Sequence, residues 1–250
     1  MKSFKKNITK SFDRGSNNYD LNAKIQKKIC QQLISFFKNL DNSDLQIVNA
    51  LEIGCGSGFM TKELIKLKKI EKIHLLDISS EMIKKVSSQN LHKNASFEIA
   101  DFDNFSRYNE YDFIYSNMAM HWSENIKNLI LKILLNLSKN SFFIFSIPHS
   151  LRISFKKKNK AENFCSSLVN QFPKYNDIKQ IICSENYNLF SKQISLNEIY
   201  NRPIDFFLNL KKIGANVSLI KKKSNIFSLR HITVKTLINY DVGFFFIKKI

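Results

Sequence analysis

The chain has 250 residues, 44% hydrophobic and 12% aromatic, enough apolar material to bury a core and too much for wholesale disorder. A formal net charge of +18, from 39 Lys and Arg against 21 Asp and Glu, favours an acidic partner such as nucleic acid, an anionic surface or an acidic protein. The four cysteines form no C-x-x-C pair and stand at no zinc spacing from a histidine, which argues against a disulfide framework or metal site and fits a cytoplasmic protein. No apolar run approaches the ~20 residues of a membrane span, and no apolar stretch of a secretory signal follows the basic residues 1–10.

Residues 19–38 place Leu21, Ile25, Ile29, Leu33 and Phe36/Phe37 at three- and four-residue steps, which predicts an amphipathic helix. A polar loop at 39–44 leads to the apolar run 47–53, read as a buried strand that ends at glycines. Residues 59–69 resume helical spacing. The pattern then repeats: a strand at 72–77, a helix at 79–88 with Ser79 or Ser80 as N-cap, a strand at 96–100, a strand at 111–117, a helix at 123–138 and a strand at 141–147 stopped by Pro148. Apolar strands alternating with helices predict an α/β fold with a mostly parallel sheet. Beyond Pro148 the rhythm changes. Residues 150–185 read as largely helical and basic, 186–196 as a strand, 203–213 and 229–238 as helices, and 240–247 as a last strand. No linker or low-complexity block marks off a second domain.

The segment LEIGCGSGF (51–59) holds Gly54, Gly56 and Gly58, three of only 6 glycines. A glycine loop between strand and helix lets a ligand approach the backbone near a helix N-terminus. The spacing is G-x-G-x-G after the acid Glu52, with Phe59 where a dinucleotide fingerprint would need its third glycine, which argues against NAD or FAD. Asp77 ends the second strand, where an acid can accept hydrogen bonds from both hydroxyls of a ribose. Asp101 and Phe102 follow the third strand; an acid there can bond an adenine amino group while the neighbouring ring covers the base. Taken singly, each also fits a structural role: a tight turn, a helix-capping aspartate, a surface turn.

Together, LEIGCGSG, LLDIS, IADFDNF and YDFIYSNMAMHW, in this order over residues 47–147, resemble the motifs of class I S-adenosylmethionine-dependent methyltransferases. The segments SFDRGSNNYDLNAKIQKKICQQL (11–33), SNMAMHWSENI, FFLNLKKIGANVS (206–218) and INYDVGFFFIKK (238–249) resemble malonyl-[acyl-carrier-protein] O-methyltransferases of biotin synthesis, a likeness that covers nearly the whole chain. The resemblance implies a Rossmann-like, mostly parallel seven-stranded sheet with helices on both faces and an antiparallel last strand. It implies one domain: a helical lid at 1–40, a cofactor-binding core at 45–148, a substrate-side insertion with closing elements at 149–240, and the last strand at 240–248. S-adenosylmethionine would bind Glu52, Gly54, Gly56, Gly58, Asp77, Ile78, Asp101, Phe102 and Asn117.

The implied acceptor is the free carboxylate of a malonyl group on an acidic acyl carrier protein. That group is already ionised near neutrality, so no catalytic residue is nominated and alignment with desolvation does the work. Candidate substrate residues are Tyr19 in the lid, His121 and Trp122 after the fourth strand, and Arg152 as a carboxylate clamp. The basic runs at 155–160 and 221–223 are candidate carrier-docking sites. The alternatives are a small-molecule carboxyl methyltransferase and an RNA-directed methyltransferase. The second lacks an N-P-P-Y-type loop, since residues 117–120 read NMAM, so neither a stable nucleic-acid partner nor a membrane is expected.

Overall fold

The computed structural model describes residues 3–40, 46–157, 160–164, 172–217 and 229–250. Helices α1 (Ser3–Asn22) and α2 (Lys24–Leu40) open the chain. Strand β1 (Ile47–Ile53), helix α3 (Phe59–Leu64), strand β2 (Ile70–Asp77), helix α4 (Ser80–Ser87), strand β3 (Ala95–Ile99), strand β4 (Phe113–Asn117), helix α5 (Ile126–Asn136) and strand β5 (Phe142–Lys157) follow. Then come β6 (Lys160–Phe164), α6 (Tyr175–Ile182), β7 (Tyr187–Tyr200), α7 (Pro203–Lys212) and β8 (Thr236–Lys249).

The strands form one sheet in the order β3-β2-β1-β4-β5-β8-β7, with β6 paired to β5 off that path. β1 pairs parallel with β2 and β4, β2 with β3, and β4 with β5, whereas β8 runs antiparallel to both β5 and β7. The expected seven-strand path and antiparallel last strand are present. The chain turns back between β1 and β4, the switch point where α/β sheets open a crevice beyond their strand ends.

One core layer packs Ile25, Ile29, Leu33 and Phe37 of α2 against Ala50, Tyr115, Ile144 and Phe246 of the sheet. The other packs Leu129, Ile130 and Ile133 of α5 and Ile178 of α6 against Ile114, Phe143, Phe145 and Phe245. Each such fully buried aliphatic or phenyl group stabilises the fold by ~1.5–3 kcal/mol. Ser79 caps α4 as expected, its hydroxyl accepting from the Met82 amide at 3.2 Å.

Three expectations are corrected. The helix read over 19–38 is the end of α1 and most of α2, parted at the wholly buried Ala23. Residues 150–157 are strand rather than helix. Buried Leu151 and Ile153 alternate with Arg152 and Ser154, a period of two that the lysine-rich composition hides. Residues 229–238 hold a short 3-10 turn at Leu229–His231, and β8 begins at Thr236, where residues rich in β-branched side chains join a ladder with partners on both sides.

Candidate active site

The loops after the parallel strands gather at one edge of the sheet, and they carry the expected cofactor residues. After β1 the chain turns through Gly54 (φ 67°), Gly56 (φ 51°) and Gly58 (φ 75°), all left-handed, and Gly58 caps α3. The amides of Gly54 and Cys55 both donate to the Leu76 carbonyl, at 2.8 and 3.0 Å, tying the loop to β2. A Cβ on Gly54 would lie 2.4 Å from Cβ of Ala119, so glycine is what lets the loop after β4 pack against the loop after β1.

Asp77, at the end of β2, is 8% exposed. Its Oδ2 accepts from the Gly56 amide at 2.8 Å and its Oδ1 from the Ser79 amide at 2.9 Å. Burial pushes its pKa up, and the hydrogen bonds from Ser79 and Gly56 oppose that rise. Glu52 is 2% exposed and lies beneath the loop, where it accepts from Thr61 Oγ1. Thr61 Oγ1 also shares a hydrogen bond with Tyr115 Oη at 2.6 Å. Burial, with the nearby charge of Asp77 adding to it, raises the Glu52 carboxyl to about 8. Among the described residues no cation compensates either acid. Two buried carboxyl groups beside a glycine loop, without a protein cation, suit a ligand that brings its own positive charge.

After β3, Asp101 Oδ1 accepts from the Asp103 amide at 3.1 Å and from Lys5 Nζ at 2.9 Å. The Lys5 ammonium also sits 4.6 Å from the centre of the Phe102 ring, which is 7% exposed. Ile78 is partly buried against the α5-side core. Asn117, at the end of β4, spends its side chain on structure: Nδ2 donates to the Gln26 carbonyl at 3.1 Å, and Oδ1 accepts from Ser146 Oγ at 2.8 Å.

Helix α1 crosses all four loops. Lys5 reaches the loop after β3. Phe12 meets Trp122 edge-on, with ring centroids 5.6 Å apart. Asp13 accepts from Ser79 Oγ at 2.6 Å. Tyr19 covers the glycine loop, its ring 3.8 Å from where a Cβ on Gly56 would be. Lys85 of α4 holds the far end of the helix, donating to the Ser16 carbonyl at 2.8 Å and pairing with Asp20 at 2.7 Å. Burial, then the charge of Asp77, raises the Tyr19 phenol, which keeps it neutral.

The His121 ring lies tilted against Trp122, centroids 4.9 Å apart, and edge-on to Phe172 at 5.6 Å. Burial lowers its pKa to about 3, and its buried Nδ1 has no hydrogen-bond partner among the described residues. Trp122 is 7% exposed and belongs to the core. Arg152 is not at this edge. It pairs with Asp241 at 3.2 Å, six residues beyond Ser146 and therefore ~20 Å along the strand. The thiol of buried Cys55 is pushed well up by burial, which leaves it a filler and not a nucleophile.

Sequence reading did not single out Lys5, Asp13, Lys85 or Asp103. The signal for Lys5 was present: positions 5, 8, 12 and 19 share one helical face, so the lysine lies on the apolar, inward side. The basic run 221–223 lies outside the described residues, as do 158 and 159 of the run 155–160.

Along its length the chain is similar to malonyl-[acyl-carrier protein] O-methyltransferase 2 of Coxiella burnetii, with 28% identity over 99% of this chain and 98% of that one. Its fold is similar to that of the YcgJ protein of Bacillus subtilis, with a TM-score of 0.61 and 10% identity over 88% of this chain and 98% of that one. It is similar also to the N-methyltransferase NodS of Bradyrhizobium japonicum, whose structure holds S-adenosyl-L-homocysteine, with a TM-score of 0.52 and 12% identity over 94% and 98%. Residues 46–206 match the family described as the methyltransferase domain, and the chain belongs to that family.

Proposed function

We propose that the protein transfers the methyl group of S-adenosylmethionine to the free carboxylate of a malonyl group borne by acyl carrier protein, giving the malonyl methyl ester used in biotin synthesis. The observation that carries the cofactor reading is the pair of buried acids, Glu52 and Asp77, on either side of the glycine loop, with no cation partner among the described residues. The end-to-end likeness to a relative named for malonyl-acyl carrier protein supports the acceptor.

S-adenosylmethionine supplies an electrophilic methyl group on a sulfonium, and its two cationic groups suit these acids. In this reading Asp77 accepts from the ribose hydroxyls, its two oxygens fixed by the Gly56 and Ser79 amides. Asp101, in the same reading, accepts from the adenine amino group beside Phe102. Glu52 acts from beneath the loop, as a charge that favours the cationic end and a brace to Thr61. Asn117 serves by joining α2 to β5, which fixes the start of the loop that carries His121.

The malonyl carboxylate arrives ionised, so the protein need not remove a proton. His121 is neutral throughout the physiological range, and its Nδ1, unpaired among the described residues, can hydrogen-bond the acceptor. The residues of α1 exclude water: Tyr19 and Phe12 cover the reacting region, and residues 1–40 serve as its lid. Residues 149–240 form the acceptor side, with an acidic carrier drawn to the positive surface by long-range attraction.

The test is direct. Purified protein is incubated with labelled S-adenosylmethionine and malonyl-acyl carrier protein, malonyl-coenzyme A or RNA, and the gene is introduced into a biotin auxotroph lacking this step. Label on the malonyl thioester and rescue are expected. Label on RNA alone would overturn the acceptor.

A further inference from the structure

Lys5 is a buried cation at this edge. Its side chain is 4% exposed, and its ammonium lies 2.9 Å from Asp101 Oδ1 and 2.7 Å from Asp103 Oδ2. One carboxylate would neutralise it; the second makes the cluster net negative, an arrangement costly to bury unless both acids have other partners. Asp103 has them. Its Oδ1 accepts from Ser123 Oγ at 2.5 Å, its Oδ2 from the Glu124 amide at 2.9 Å, and Lys132 Nζ donates to its carbonyl at 3.1 Å. Asp103 is therefore a fixed post between the loop after β3 and the start of α5. Asp101 differs. Both hydrogen bonds that its carboxylate receives from described residues, from Lys5 and from the Asp103 amide, go to Oδ1, which leaves Oδ2 for a ligand.

We propose that Lys5 is a positioning residue for base recognition: by bridging Asp101 to the fixed Asp103, it aims the free Oδ2 of Asp101 at the purine amino group. The inference rests on the reading of Asp101 as the adenine acceptor. Because Lys5 lies on α1, the carboxylate is aimed only when the helix is seated, so recognition of the base and closure of the lid are one event. The flat face of Phe102 under the ammonium holds the lysine from a third side.

The test compares S-adenosylhomocysteine with its inosine counterpart, in which a carbonyl replaces the 6-amino group. Affinities are measured by calorimetry on the full chain for the wild type, Lys5→Met, Lys5→Arg and Lys5→Met/Asp103→Asn. The wild type is expected to prefer the amino compound tenfold or more, the scale of one charge-assisted hydrogen bond. Lys5→Met should bind the amino compound about tenfold more weakly and the inosine compound nearly as before, so that the preference collapses. Lys5→Arg should keep part of it. A Lys5→Met protein that keeps the wild-type preference, or that loses affinity for both compounds alike, overturns the role, since a merely structural lysine would do either. Should Lys5→Met not fold, the double variant, which removes one carboxylate with the cation, decides by the same comparison. A wild type without preference would instead remove Asp101 as the adenine acceptor, and this inference with it.

Discussion

Asp13 and Ser79 meet at 2.6 Å, and their hydrogen bond joins helix α1 to the acid that ends β2. Ser79 donates its hydroxyl to Asp13, its amide to Asp77 Oδ1, and accepts the Met82 amide as the cap of α4. One serine thus couples the covering helix, the acid proposed as ribose acceptor and a helix terminus. The site is organised by chains of this kind: Lys5 does for Asp101 what Ser79 does for Asp77.

Asp77→Ala should weaken S-adenosylhomocysteine binding by ~100-fold or more, because it removes the proposed ribose acceptor and leaves the Gly56 and Ser79 amides without their partner. Isothermal calorimetry checks it, and an unchanged affinity would remove Asp77 from the cofactor site.

Glu52 gives a pH signature. Its folded-state carboxyl is raised from 4.5 to about 8, so between those values the folded protein binds a proton that the unfolded chain has released. The contribution of Glu52 to stability is therefore present below pH 4.5 and is lost as pH rises to about 8. Thermal melts across that range should decline less steeply for Glu52→Gln than for the wild type. A cationic cofactor favours the ionised carboxylate, so its binding near pH 7 should release a proton in the wild type and none through this group in Glu52→Gln. Calorimetry in buffers of different ionisation enthalpy reads that proton.

His121 acts in the opposite sense. Its pKa falls from 6.5 to about 3 on burial, so its contribution to stability is full above 6.5 and is lost as pH falls toward 3. His121→Phe should flatten the acid limb of the melting curve. The same variant should raise the KM for the malonyl acceptor while leaving cofactor affinity near the wild-type value. A weakened cofactor and an unchanged acceptor KM would count against His121 as a substrate contact.

Gly15→Ala tests the seating of α1. A Cβ at Gly15 would stand 2.4 Å from the Gly214 amide nitrogen and 2.6 Å from the Ile213 carbonyl carbon, both backbone atoms that cannot swing aside. The variant should lose ~1–3 kcal/mol of stability in denaturant titration, as overpacked contacts do. It should also bind S-adenosylhomocysteine more weakly, since the helix that carries Lys5, Asp13 and Tyr19 is displaced.

The glycine loop, Asp77, Asp101 and Phe102 were legible because each depends on local chain geometry: a strand end, a turn with left-handed residues, an acid at a fixed place after an apolar run. Ser79 was legible as a cap for the same reason. Asn117 was harder. Its place at the end of β4 marked it, but its partners Gln26 and Ser146 come from α2 and β5, and only their meeting shows that the side chain is spent on bracing. The strand at 150–157 reads as helix because its lysine-rich composition hides the alternation of Leu151 and Ile153 with Arg152 and Ser154; pairing with β8 decides it.

The sequence by itself determined the α/β alternation, the kind of loop that follows each parallel strand and the acids those loops carry, since backbone geometry and hydrophobic periodicity act over a few residues. The tertiary structure alone decided that Lys5 reaches Asp101 across 96 positions, that Asp13 reaches Ser79 across 66, and that Arg152 is bound to Asp241 away from the site. Those contacts depend on where α1 lies on the loop edge and how far β5 extends, and both are set by the packing of whole elements.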